Sequence, residues 1–252
     1  MKIMVLTDNE FIYNEFKEII KDKKYNDINF EFFFSESNKL FKTKFMRDDF
    51  KSIDLKCRIN ELVSNYKLVL SLHCKQMFPS DLVNQIRCVN VHPGFNPYNR
   101  GWFPQVFSII NKLPTGVTIH EMDEELDHGN IIAQKKVDIF QWETAYEVYK
   151  KIQYTEIQLL KIHLRDIVDN NYKAIQPLSE GNINKEKDFN KLCEINLNKL
   201  VTFKEAIDYL RAVSFSGYKN AYFYDESGEK IFVEIKLELE KDKNNVKQCP
   251  TK

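Results

Sequence analysis

The run Cys88-Val-Asn-Val-His-Pro-Gly-Phe-Asn-Pro-Tyr-Asn-Arg-Gly101 constrains the fold more than any other stretch of the chain. Side chains alternate between the faces of a strand, so Asn90 and His92 point one way while Val89 and Val91 point the other. Pro93 cannot donate to a ladder and Gly94 tolerates unusual dihedrals, which ends the strand directly after His92. An amide and an imidazole are therefore expected together at a strand's C-terminal end, where open α/β sheets place their ligands. Taken alone, the pair also fits a buried amide and a satisfied core histidine.

Around that run, short apolar stretches alternate with helical periodicity. Lys2 to Leu6 predicts a strand that turns at Thr7-Asp8-Asn9 into a helix carrying Phe11, Phe16, Ile19 and Ile20. No glycine precedes Gly94, which removes the Gly-x-Gly-x-x-Gly turn of a dinucleotide fold. Asn29 to Phe34 predicts a second strand, followed by a polar connection and a helix ending near Tyr66. Leu68 to Leu72 suits a central parallel strand covered on both faces, and it delivers His73 to Pro79 to the same rim as Asn90 and His92. Helices are expected from Ser80 and from Trp102-Phe-Pro104, with Pro104 near the first helical position. Then come a strand with Val117 and Ile119, an acidic loop from Asp123 to Gly129, a strand from Asn130 to Ile139 and a long helix from Thr144 to Val168. Such alternation predicts an α/β fold with a mainly parallel sheet and helices on both faces.

A chain of 252 residues has room for that core and a smaller unit. We expect a main domain over 1–180, a polar linker over 181–195 and a small helix and β-hairpin unit over 196–252. In the last, Thr202-Phe-Lys-Glu205 fits a capping box, and a hairpin over Tyr218–Tyr224 and Lys230–Leu239 turns at Asp225-Glu-Ser-Gly228. Its second strand has one apolar face, which must cover its own domain or a second copy, so a homodimer through this hairpin is expected. Lys+Arg and Asp+Glu balance at 37 each, which removes the cationic field of most nucleic-acid binders. The cysteines, Cys57, Cys74, Cys88, Cys193 and Cys249, are odd in number and never paired as Cys-x-x-Cys, in keeping with reduced thiols of a cytoplasmic protein. No apolar run approaches the ~20 residues that span a bilayer.

The acidic loop resembles a calcium loop only in part. It lacks glycine at the sixth position, which is His128, and an acid at the twelfth, which is Gln134, so no metal is expected. Taken with Asn90 and His92, Asp127 instead completes a set for acyl transfer. A carboxylate beside an imidazole favours the protonated ring, which then donates to an oxygen becoming negative, and the Asn90 amide supplies a second donor. Cys88 lies on the same strand face, deeper, and reads as packing before nucleophile.

Asn-x-His-Pro followed by Met122-Asp-x-x-x-Asp127-x-Gly-x-Ile-Ile132, with the strand Gly116-Val-Thr-Ile-His120 between them, resembles the formyltransferase family that uses 10-formyltetrahydrofolate. The likeness covers roughly Leu68 to Ile139 and implies a Rossmann-like domain, with Asn90, His92 and Asp127 as the catalytic residues. It also implies a pterin cleft near Met77, Phe78, Pro79, Leu82, Glu121, Asp123 and Glu125. Three branches compete, acting on methionyl-tRNA, on phosphoribosylglycinamide, or on nucleotide-linked amino sugars. Pro97-Tyr-Asn-Arg-Gly-Trp102 and Gly217-Tyr-Lys-Asn-Ala-Tyr-Phe223 look most like the last. That likeness implies a dTDP-4-amino-4,6-dideoxyhexose, first the gluco isomer, bound for a surface polysaccharide such as O-antigen.

For such a substrate Lys75 and Arg100 are the candidate cations for the diphosphate, with Tyr98 beside them. Trp102 reads as a sugar platform or a core aromatic, and Asn220 and Tyr222 as base contacts or hairpin residues. A rival from another class is a module that binds folate and nucleotide sugar without turnover.

Overall fold

The computed structural model describes residues 1–45 and 49–240; Cys249 lies outside them. Strands β1 (Lys2–Thr7), β2 (Asn29–Ser35), β3 (Phe50–Ile53), β4 (Leu68–Leu72) and β5 (Cys88–His92) run parallel, whereas β7 (Thr115–Glu121) and β8 (Ile131–Val137) run antiparallel. They form one seven-stranded sheet in the order β3-β2-β1-β4-β5-β7-β8. β3 was not visible in the sequence. Phe50-Lys-Ser-Ile is too short to show a period, and it forms because Phe50 and Ile53 bury against the sheet's outer edge.

Helices α1 (Glu10–Ile19), α2 (Lys39–Phe45), α3 (Ile59–Asn65), α4 (Ser80–Val83), α5 (Pro104–Asn111) and α6 (Ala145–Asp169) cover the two faces. One core unites α1, α5 and α6 with Val5, Leu70, Val89, Val91, Val117 and Ile119. A second packs α3 and α4 against Met4, Leu6, Val69 and Cys88. The sheet therefore has two dry faces, which explains why β1 and β4 read as continuous apolar runs. Thr144 and Glu147 form the capping box that starts α6, and Asn170 ends it with φ 56°.

Residues 181–195, expected as a linker, carry β9 (Ile183–Asn184) and α7 (Glu186–Cys193). β9 pairs in parallel with β6 (Arg100–Gly101), so this stretch is laced to the loop after β5. α8 (Phe203–Val213) starts at the expected Thr202–Glu205 capping box and lies against α5 and α6. The hairpin of β10 (Ala221–Tyr224) and β11 (Lys230–Val233) is shorter than predicted. Ala221 and Val233 form its last pair, and beyond it Ile235 N donates to Ser214 Oγ instead of to a strand. No described helix is long and apolar enough to cross a membrane.

Candidate active site

Asn90 and His92 share the parity of Cys88 and so project on the face that carries the second core. β7 runs back along β5, with Thr118 opposite His92, His120 opposite Asn90 and Glu121 opposite Val89. Its following loop leaves at the base of β5, where Met122 N donates to Cys88 O at 2.9 Å. To meet His92 the loop must fold up over the face, so Asp127 arrives across the sheet and not along the C-terminal rim.

Asp127 is buried, with φ 49°, and gathers the other groups around its carboxylate. Asn90 Nδ2 donates to Oδ1 at 3.0 Å, the Gly101 amide donates to Oδ2 at 3.0 Å, and His92 Nδ1 stands 3.3 Å from Oδ2. Asn96 Nδ2 donates to the Asp127 carbonyl at 2.8 Å and pins the loop. His120, absent from the predicted set, closes the group. Its Nδ1 lies 2.7 Å from the Glu121 carbonyl, which only accepts, so Nδ1 carries the proton. Nε2 then accepts from Asn90 Nδ2 at 3.3 Å. Both amide hydrogens of Asn90 are thereby engaged, where the sequence suggested a free donor. The alternation in Gly116-Val-Thr-Ile-His120 was the signal that placed His120 on the Asn90 face.

Burial, outweighing the Asp127 carboxylate, pushes His92 down to about 4. The ring is therefore neutral near pH 7, in contrast to the expectation that Asp127 would hold it protonated. For Asp127, burial acts upward, but His92 and the Gly101 amide outweigh it and hold the carboxyl at about 2. The single proton of a neutral ring belongs on the nitrogen nearest the carboxylate, Nδ1, which leaves Nε2 as an acceptor. Nε2 is buried without a hydrogen-bond partner among the described residues, and a Cβ on residue 94 would lie 2.3 Å from it. Room beside Nε2 exists because residue 94 is glycine. Cys88 is buried and its thiol is pushed up to about 12 by burial, which agrees with packing.

The other predicted residues scatter more widely. Phe78 and Leu82 are buried in the second core, Leu82 with no exposed surface, while Met77 is exposed and Pro79 half-buried. Glu121 accepts from Tyr172 Oη at 3.0 Å, Asp123 from the Glu125 amide at 2.9 Å, and Glu125 is exposed. Glu121 and Asp123 line a cleft of about 280 Å³ with Met122, His128 and Pro177. A larger cavity, about 860 Å³ between α5, α8 and the ends of β7 and β8, contains none of the predicted residues.

Arg100 is buried, and its Nε has no hydrogen-bond partner; no described carboxylate pairs with it. Lys75 is exposed, Tyr98 half-buried, and Trp102 exposed beside Phe103. Asn220 Nδ2 donates to Val213 O at 3.1 Å, which uses its nitrogen within the fold. The Lys230 ammonium stands 3.4 Å from the Tyr222 ring centroid and occupies one face of that ring. Glu125, His128 and Glu180 bring ligand-type atoms within 4.8 Å of one another, but all three are partly exposed and such acidic groups are common without an ion.

Comparison with known proteins gives this geometry a family. Residues 3–163 match the formyl transferase family and residues 188–239 the N-formyltransferase dimerization C-terminal domain. A dTDP-4-amino-4,6-dideoxyglucose formyltransferase of Mycobacterium tuberculosis is 50% identical over 188 residues, covering 75% of this chain and 80% of that protein. The crystal structure of a 4-N formyltransferase from Francisella tularensis superposes with a TM-score of 0.90 at 50% identity, over 94% of this chain and 98% of the other. A sugar N-formyltransferase from Shewanella sp. gives 0.90 at 42% identity, over 96% and 99%. Matched over more than half its length, and half identical to such relatives, the chain belongs to the formyl transferase family.

Proposed function

We propose that this N-formyltransferase moves the formyl group of 10-formyltetrahydrofolate to the 4-amino group of a dTDP-4-amino-4,6-dideoxyhexose, first the gluco isomer, for a surface polysaccharide. The observation that carries the reading is the convergence of Asn90, His92 and Asp127 with an unpartnered Nε2 on a neutral ring. A neutral imidazole held by a carboxylate is a base. As the sugar nitrogen bonds to the formyl carbon, its proton passes to His92 Nε2. When the bond from that carbon to N10 breaks, the same proton goes to N10, leaving an N-formyl sugar and tetrahydrofolate. The tetrahedral oxyanion needs a donor at that moment. Asn90 supplies one by exchanging its contact to His120, the longer of the two its nitrogen makes.

Two cations support a nucleotide-linked substrate. A buried guanidinium without a counter-charge costs several kcal/mol, which a diphosphate offsets, and Arg100 is in that position. Lys75 offers a second ammonium, unpaired among the described residues. The cleft beside Glu121 and Asp123 supports a folate subsite there, and the match of 188–239 supports a homodimer.

The reading is tested by incubating the protein with 10-formyltetrahydrofolate and, separately, the gluco and galacto dTDP-amino sugars, methionyl-tRNA and phosphoribosylglycinamide. Expected is release of tetrahydrofolate together with a sugar heavier by one carbonyl. Transfer to tRNA or phosphoribosylglycinamide alone would replace the proposed acceptor, and no transfer with retained folate and sugar binding would leave a binding module. Light scattering that returns a monomer mass at assay concentration would remove the dimer.

A further inference from the structure

The half-buried His73 and the fully buried Glu156 form a pair that the proposed mechanism does not use. His73 ends β4 beside His92 on β5, and continuing the strand would point both rings to the same face, as Ser71 pairs with Asn90. Instead His73 has φ 60°, a left-handed conformation that an imidazole adopts only when its surroundings over-determine it. The turn sends the ring to the opposite face, against α6. There His73 Nε2 lies 2.8 Å from both carboxylate oxygens of Glu156, which has no exposed surface and no other hydrogen-bond partner among the described residues. His73 Nδ1 lies 3.3 Å from Tyr149 Oη, which accepts from Asn9 Nδ2 at 2.9 Å, and Asn9 caps α1.

The loop that follows is tied from the other side as well. Asp8 N donates to His73 O at 3.3 Å, and Lys75 N donates to Asp8 Oδ2 at 2.8 Å. Asp8 is itself fixed by the Ser35 amide and Asn38 Nδ2, each at 3.0 Å. Gln76 Nε2 donates to Ile53 O at 2.9 Å, and its Oε1 accepts from Leu55 N at 3.0 Å. Every polar side chain from His73 to Gln76 is thus spent on the fold except that of Lys75, which is exposed and whose ammonium has no hydrogen-bond or ion-pair partner among the described residues. A loop so strapped, presenting one free ammonium beside the catalytic strand, is built to hold that ammonium still.

We infer that the His73–Glu156 pair is a positioning device: by turning the loop after β4 onto α6, it sets Lys75 for the diphosphate of the nucleotide sugar. This rests on the proposed role of Lys75. His73 and Glu156 are positioning residues, not catalytic ones, and they govern nucleotide affinity more than the rate of formyl transfer.

The test is a double-mutant cycle read by calorimetric titration with dTDP. Asparagine tolerates left-handed dihedrals, so His73→Asn keeps the turn and removes the tether. Expected is weakening of dTDP binding by about tenfold in His73→Asn and about threefold in Glu156→Gln, with Lys75→Met weaker still. His73→Asn/Lys75→Met should be no weaker than Lys75→Met alone, because the pair acts through that lysine. KM for the nucleotide sugar should rise with the loss of binding, while kcat stays within about twofold.

Unchanged dTDP binding in His73→Asn, full multiplication of the two losses, or a fall in kcat at constant KM would overturn the inference. Should His73→Asn fail to fold by circular dichroism, Glu156→Gln carries the same cycle. A wild-type protein that binds no dTDP yet formylates another amine would sink the substrate reading and this inference with it. Wild-type turnover beside an indistinguishable His73→Asn would sink this inference alone.

Discussion

His92 with Asp127 and His73 with Glu156 stand at the ends of neighbouring parallel strands, each an imidazole beside a buried carboxylate, and their surroundings treat the carboxylates in opposite ways. Asp127 accepts from the Asn90 amide and the Gly101 N–H as well as facing His92, and His92 with the Gly101 N–H holds it at about 2 in spite of burial. Glu156 has His73 alone, and burial raises it above its ordinary range. Burial therefore does not decide the charge of a carboxylate; the number of donors aimed at it does. The well-supplied carboxylate stays charged next to a neutral ring, which suits proton transfer, whereas the under-supplied one is held by a single side chain and suits a tether.

The contrast is sharpest in rate. Asp127→Asn or His92→Asn should lower kcat/KM by about 10²- to 10⁴-fold, whereas Glu156→Gln should leave kcat within about twofold. Equal kcat losses in the two pairs would erase the distinction. Stability should order them the other way. Glu156→Ala strands His73 beneath α6 and should cost about 3 kcal/mol, read as a lower urea midpoint at unchanged m. Gly94→Ala should reduce kcat by about 10- to 100-fold at about 1–3 kcal/mol in stability, because the new methyl meets His92 Nε2. A fully active alanine variant would show that the ring has freedom the structure denies it.

The pH dependence of stability gives a further contrast. His92 is displaced downward from 6.5 to about 4, so between those values the unfolded chain takes up a proton that the folded one refuses. Its contribution is fully present above pH 6.5 and is lost as pH falls toward 4. Asp127, displaced from 3.8 to about 2, adds a further loss only below pH 4. Each pH unit of displacement is worth about 1.4 kcal/mol. Urea titrations should show a shallower slope between pH 6.5 and 4 in His92→Asn.

The convergence of Asn90, His92 and Asp127 was legible because they sit in short motifs whose residue types are unusual for a strand end and a turn. β3 was not, since four residues show no period, and neither was the route of the Asp127 loop, which depends on β7 running antiparallel to β5. The His73–Glu156 pair joins residues 83 positions apart with no motif at either end. His73 was legible only as a residue on the rim, because nothing in the sequence announces a left-handed dihedral at a histidine. Leu82 was assigned by position along the chain, and helical parity turned it into the core.

The pairing of β6 with β9 has a consequence for how this family can be recombined. Gly101, whose amide holds Asp127, is seated against Asn184, and that residue lies between the two stretches matched as separate family units. Exchanging the tail at any junction ahead of Ile183 would import a foreign edge under the carboxylate. Functional chimeras are therefore confined to crossovers downstream of Asn184, and the seam between the units is inherited with the first of them.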